Sequence, residues 1–147
     1  MIRKTLTFFA AVLATYVVAT VLASNSALSS ISALGLPISF GQRISVIAHD
    51  LAGMATSLLP LIIIGFLVAF LLTALLTRWW PNIRLILYVI AGAVAVIGIH
   101  TALNLAFDIT PIAAARTTGG LLMQGIAGAA GGYVFARFSS ERKPAET

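Results

Sequence analysis

Apolar residues are grouped in four long runs that are separated by short polar segments. The runs cover approximately residues 5–23, 44–77, 84–107 and 111–137. Each run is long enough to supply the ~20 apolar residues that cross a hydrocarbon core ~30 Å thick. The pattern therefore predicts an all-α integral membrane protein, in which four transmembrane helices form one antiparallel up-down bundle over residues 1–147.

The basic residues between the runs indicate how the helices are oriented. With four crossings, both termini and the turn between the second and third runs lie on one side. That side carries every Lys and Arg of the chain except Arg43 and Arg116. Because Lys and Arg accumulate in cytoplasmic segments, we expect a multi-pass inner-membrane protein with both termini in the cytoplasm. Residues 138–147 would then form a basic cytoplasmic tail.

The first run has two interpretations. Arg3 and Lys4, followed by an apolar stretch and the small residue Ala23, are typical of a secretory signal with its cleavage site. The stretch of about 17 residues, however, exceeds the usual 7–15 residues of a signal core. Its length favours a retained helix, whereas cleavage would leave three spans and place the new amino terminus outside.

Segment 24–42 is predicted to be an outer loop, because it is rich in serine and contains Gly35 and Pro37. Its apolar residues recur every three or four positions from Leu28 to Leu34. This spacing predicts a short helix lying in the outer interface. The alternative is a loop that folds back over the bundle as a lid.

The second helix is expected to begin near Gln42 and to continue to Thr77. Pro60 lies inside it, and a proline leaves the carbonyl oxygen of the residue four positions earlier, here Thr56, without its donor. We therefore expect a kink one turn before Pro60. Pro81 follows two tryptophans that suit the head-group layer, and it stops the helix at the cytoplasmic face.

Composition narrows the class of protein further. Hydrophobic residues make up 60% of the 147 residues and charged residues only 9%, far below the quarter that is usual in soluble domains. The absence of cysteine excludes disulfides, thiolate catalysis and cysteine-ligated zinc or iron–sulfur sites. A net charge of +5 suits anionic lipid head groups better than nucleic acid, so we expect no nucleic-acid partner.

The polar residues of the third and fourth helices lie on two stripes with a spacing of four residues, which places each stripe on one helix face. The first stripe is Gly92, Val96, His100, Asn104 and Asp108, and the second is Arg116, Gly120, Gln124, Gly128 and Gly132. Counting from the shared turn, Asp108 and Arg116 should meet near the outer surface. His100 and Gln124 should face each other ~12 Å deeper, where we expect a hydrogen bond between them.

Glycines on the two stripes predict close helix packing. Gly128 and Gly132 have the small-xxx-small spacing that lets another backbone approach, Gly120 extends the groove outward, and Gly92 is level with Gly132. This face is interpreted as packing within the chain, and the alternative is a contact between copies of the chain.

His49 and Asp50 lie at the outer end of the second helix, so they could join Asp108 and Arg116 around one opening. Intramembrane ionisable residues are expensive and often mark a functional site. The candidate ligand- or ion-binding residues are His49, Asp50, His100, Asn104, Asp108, Arg116 and Gln124.

Each candidate also has a structural interpretation. Asp108 and Arg116 suit an ion pair that fixes the turn, and His100 suits a neutral histidine bonded to a neighbour. The sequence does not indicate a metal site, because no two histidines are four residues apart. No serine has the flanking glycines of a nucleophile elbow, so we expect neither an enzyme nor a cofactor.

The sequence therefore favours a small inner-membrane binding or accessory component with an outward-facing polar pocket. Its expected partners are the lipid bilayer and either further copies of itself or a larger membrane protein, with a small ligand or ion in the pocket. The alternative is an oligomeric channel or transporter unit for an ion or small solute. A membrane enzyme or a metal-binding protein has less support.

Overall fold

The computed structural model of the protein describes residues 2–108 and 113–139, without the side chains at 113 and 114, and every regular element in these ranges is a helix. The long helices are α1 (Ile2–Ala33), α2 (Phe40–Gly53), α3 (Ala55–Trp79), α4 (Arg84–Phe107) and α5 (Thr118–Ser139). Two short 3-10 helices, Pro81–Ile83 and Ala113–Arg116, precede α4 and α5. The predicted start of the fourth span at 111 and the tail beyond 139 lie outside the described residues.

Three helices of the described chain are long and apolar enough to cross a membrane. They are Ile2–Ala33, Ala55–Trp79 and Pro81–Phe107. The fold is therefore all-helical and of the membrane type. Helix α5 is not among the three, because its glycines, Gln124 and Arg137 lower its hydropathy. It nevertheless packs closely against both α1 and α4.

Helix α1 is longer than the sequence pattern predicts. It continues through ten residues of the expected outer loop and ends at Ala33, so the predicted interface helix is the last part of α1. The serines do not break it, because a side chain such as Ser30 Oγ donates to its own helix, here to Ser26 O, 3.1 Å away. The end comes before Gly35, whose positive φ of 84° reverses the chain as glycine does after many helices.

The predicted second span consists of two helices. Ser39 caps α2 through a reciprocal pair of hydrogen bonds with Gln42, and α2 ends at Gly53. Met54 separates α2 from α3, and Pro60 lies inside α3. The interruption at Met54 therefore falls two residues further from Pro60 than the expected kink at Thr56, next to Gly53, where a residue without a side chain weakens the helix.

Helix α5 lies antiparallel to both α1 and α4. Towards α1, Gly131 faces Thr15 and Ala11, and a side chain at this glycine would overlap both. On the α3 and α4 side, the rings of Phe70, Tyr88 and Phe135 pack together, with centroid separations of 4.7 to 5.4 Å. Small residues on one face and aromatic rings on the other thus place α5 inside the bundle.

One end of the bundle gathers basic side chains and is called the basic end below. Arg3 Nε donates to Phe138 O at 3.1 Å. Arg84 donates to Ala136 O at 2.7 Å and to Ser139 Oγ at 2.6 Å. The beginnings of α1 and α4 therefore meet the end of α5. The opposite end holds the end of α4 and the beginning of α5.

Candidate functional site

A cavity of about 470 Å³ lies where α4 ends and α5 begins. Its volume falls within the range of small-molecule sites. The described residues that line it are His100, Thr101, Asn104, Asp108, Ala115, Arg116 and Leu121. The structure thus brings four of the seven candidate residues, His100, Asn104, Asp108 and Arg116, to one cavity.

Helix α4 supplies the first wall of the cavity. His100, Asn104 and Asp108 are four residues apart and share one helix face. Asp108 ends the helix in the left-handed conformation, with φ 54° and ψ 30°, and its N–H donates to Asn104 O at 2.9 Å. Aspartate adopts this conformation more readily than most residues. The turn therefore leaves the Asp108 side chain exposed at the opening of the cavity.

The segment before α5 supplies the second wall. Arg116 ends the short 3-10 helix Ala113–Arg116 and is exposed at the same opening. Thr117 then caps α5, because its hydroxyl accepts the N–H of Gly120 at 3.1 Å. Among the described residues, no ion pair joins Asp108 to Arg116. A carboxylate and a guanidinium thus border one opening without a direct ion pair between them.

His100 is the buried polar group of the cavity. Only 3% of its surface is exposed, and neither Nδ1 nor Nε2 has a hydrogen-bond partner among the described residues. An imidazole always carries at least one N–H donor, and leaving such a group unsatisfied costs about 1–3 kcal/mol. The missing partner is therefore not among the described residues, and the ring borders the cavity.

Gln124 does not bind His100 as the sequence analysis expected. Its Nε2 donates to the carbonyl oxygen of Ala19 on α1 at 3.1 Å, and its Oε1 has no partner in the part of the chain that the structure describes. The side chain is 1% exposed and does not line the cavity. The difference arises because α1 packs against α5 at this level.

His49 and Asp50 lie outside the cavity, whose described lining includes no residue of α2. His49 is exposed, and half-buried Asp50 accepts a hydrogen bond from Ser24 Oγ at 2.6 Å. The hydroxyl of Tyr16 also donates to the carbonyl oxygen of Leu51. Because the helix is interrupted at Met54, α2 need not continue along the axis of α3. These hydrogen bonds hold α2 against α1.

Three of the four predicted packing glycines lie in the contact between α4 and α5, called the glycine seam below: Gly92, Gly128 and Gly132. A side chain on Gly92 would overlap Gly128 O, and one on Gly128 would overlap Gly92 O. Gly132 faces the carbonyl oxygen of Tyr88 in the same way. The fourth, Gly120, is half-buried at the first turn of α5. The helices therefore touch, backbone to backbone, below His100.

The contacts of α5 with α1 do not follow from the polar and glycine stripes. Gly131 meets Thr15, and the buried hydroxyls of Thr15 and Thr20 have no partner among the described residues. The available signal was the pair Gly131-Gly132, which puts small residues on two neighbouring faces of α5. Within the described ranges, no group of three or more acidic or histidine side chains could hold a metal ion.

Comparison with known protein families, with curated proteins and with solved structures finds no match to this chain.

Proposed function

We propose that this chain is a small inner-membrane binding component that takes a polar ligand from the outer face into the cavity of His100, Asn104, Asp108 and Arg116. The observation that carries the proposal is His100, a buried imidazole that lines the cavity while both ring nitrogens lack partners among the described residues. A bound ligand or water supplies the missing hydrogen bond. The class is a binding protein rather than an enzyme.

The proposed topology has four spans and two cytoplasmic termini. Helix α5 has 22 residues, which extend about 33 Å and match a hydrocarbon core of about 30 Å. It lies antiparallel to α1 and α4, which are themselves candidate spans, so its apolar neighbours compensate for its low hydropathy. Basic residues gather where α1 begins and α5 ends, which favours the cytoplasm for that end. The cavity then opens outside.

The charges at the opening support a small ligand that carries both signs. Asp108 can receive an ammonium group and Arg116 a carboxylate. A simple cation would meet the guanidinium of Arg116, and a simple anion would meet the carboxylate of Asp108. An amino-acid-like zwitterion avoids both conflicts.

The close packing of α4 and α5 below His100 favours binding over permeation. The glycine seam brings the backbones of α4 and α5 together, and Val96 packs against Gly128. A path from the cavity along this seam would require the two helices to separate. The cavity therefore suits a ligand that is held, presented to a partner or sensed, rather than one that passes through between α4 and α5.

Thermal unfolding of the detergent-purified protein tests the proposal, with Trp79 and Trp80 as the fluorescent reporters. The probes are a set of zwitterionic amino acids, with choline and acetate as singly charged comparisons. A ligand at one hundred times its Kd stabilises the folded state by about 2.7 kcal/mol. We expect at least one amino acid to raise the Tm of the wild type, while choline and acetate do not.

Two variants separate cavity binding from other effects. His100→Ala should lose the rise in Tm, whereas His49→Ala, which changes the exposed histidine outside the cavity, should keep it. If no amino acid raises the Tm, the proposal fails. An equal rise in the His100→Ala variant would place the ligand elsewhere. Amino-acid flux into liposomes that depends on His100 would replace binding with transport.

A further inference from the structure

A second, larger cavity opens at the basic end of the bundle. It has a volume of about 840 Å³ and lies between α1 and α3, with α4 and α5 behind it. It is called the basic-end groove below. Lys4, Thr5, Phe8 and Phe9 of α1 form one side, and Tyr88 and Phe135 form part of its floor. It shares no lining residue with the cavity of His100.

Polarity changes along this groove from one end to the other. The end near the helix termini holds Lys4, Arg84 and the hydroxyls of Thr77 and Ser139. The other end, on α3, holds Ile63 and Leu67. From Ile63 to Thr77 the helix rises about 21 Å, which exceeds half of a hydrocarbon core of about 30 Å. The groove therefore reaches from the interface to the depth of an acyl-chain end.

The cationic end is held in place by the fold. The guanidinium of Arg84 donates to Ala136 O and Ser139 Oγ and lies 5.0 Å from the ring centroid of Tyr88. The groove thus combines a positive head with an apolar tail.

From this arrangement we propose that the basic-end groove binds one anionic phospholipid from the leaflet at the basic end. Its phosphate would lie near Lys4 and Arg84, and one acyl chain would lie along Phe8, Leu67 and Phe70. Basic pockets between transmembrane helices recognise anionic head groups, and the apolar walls bury methylene groups of the chain. This site does not depend on the ligand proposed for the His100 cavity.

Native mass spectrometry of the full chain released from detergent tests the proposal, with phosphatidylglycerol and phosphatidylcholine as probes. We expect one bound phosphatidylglycerol per chain and at least tenfold weaker binding of phosphatidylcholine. Lys4→Gln should weaken phosphatidylglycerol binding about fivefold, as expected for one basic side chain near a head group. Arg78→Gln is the matched control, since Arg78 is exposed and does not line the groove.

A second pair of variants tests the apolar part without changing charge. Ala74→Phe should fill the groove and remove the bound lipid, whereas Val68→Phe, on an exposed α3 position outside the groove, should leave it. Equal binding of the two lipids would overturn the role of the basic residues. Unchanged binding in Ala74→Phe would overturn the location. Dimers that form in place of lipid binding would identify the groove as a contact between copies.

Discussion

The side-chain Nε2 of Gln124 on α5 donates a hydrogen bond to the main-chain carbonyl oxygen of Ala19 on α1, 3.1 Å away and fully inside the bundle. The two residues are 105 positions apart in the chain, so the bond connects the first helix to the last. A primary amide in a membrane interior needs such a partner, because leaving it unsatisfied costs free energy. The bond therefore fixes how α1 and α5 pack together.

Replacing Gln124 by alanine is expected to lower the free energy of unfolding by about 2 kcal/mol, the sum of a lost interhelical hydrogen bond and a small void. Unfolding of the purified protein in mixed detergent micelles measures the change. Met123→Ala is the control, since Met123 is the neighbouring residue and is half exposed. Equal losses in the two variants would mean that the bond to Ala19 does not stabilise the fold.

The close backbone contacts in the glycine seam lead to a second prediction about stability. Gly92→Ala would drive a Cβ into the backbone at Gly128, so we expect a loss of about 3 kcal/mol or no folded protein. Gly98 lies on the same helix with nothing within 4 Å of an added Cβ. Gly98→Ala should therefore leave stability unchanged or raise it by up to about 1 kcal/mol. Yields and Tm values in detergent compare the two, and matching values would contradict the seam.

Local patterns in the sequence lead to part of the site. The four-residue spacing puts His100, Asn104 and Asp108 on one face of α4, and the short turn brings Arg116 beside them. Both features depend on helix geometry and on residues close together in the chain, which periodicity encodes. The all-helical, membrane-type fold follows from the apolar runs for the same reason.

Other features depend on contacts between distant segments, which periodicity does not encode. The partner of Gln124 is Ala19 rather than His100, because α1 and α5 pack directly. Helix α1 extends to Ala33 with Leu28 buried against the bundle. The position of α2 likewise depends on its bonds to Tyr16 and Ser24, and a hydropathy pattern contains no information about these pairs.

The bonds between α1 and α2 predict how firmly α2 is held. No residue of α2, all of which is described, is buried, so two hydrogen bonds, from Tyr16 to Leu51 and from Ser24 to Asp50, carry much of its attachment. A double variant, Tyr16→Phe with Ser24→Ala, should lose about 2 kcal/mol locally, at about 1 kcal/mol per bond. Hydrogen exchange of the α2 amides in detergent or nanodiscs measures this loss.

The expected result is faster exchange over Phe40–Gly53 with α4 and α5 unchanged. Ser26→Ala provides the control, because Ser26 lies on the same stretch of α1 but is exposed. Exchange that is equally fast in the control, or that spreads through the whole bundle, would show that these two bonds do not act locally on α2.

The crossing of α5 can be tested directly, since the chain has no cysteine and single cysteines can be added on a clean background. Thr118 and Phe138 are exposed near the two ends of α5. If α5 spans the membrane with its end in the cytoplasm, a membrane-impermeant maleimide should label Thr118→Cys on intact spheroplasts and Phe138→Cys only after lysis. Asn82→Cys, between α3 and α4, should behave like Phe138→Cys. Labelling of Thr118→Cys and Phe138→Cys from the same side would mean that α5 enters the bilayer without crossing it, and the proposed four-span topology would then be wrong.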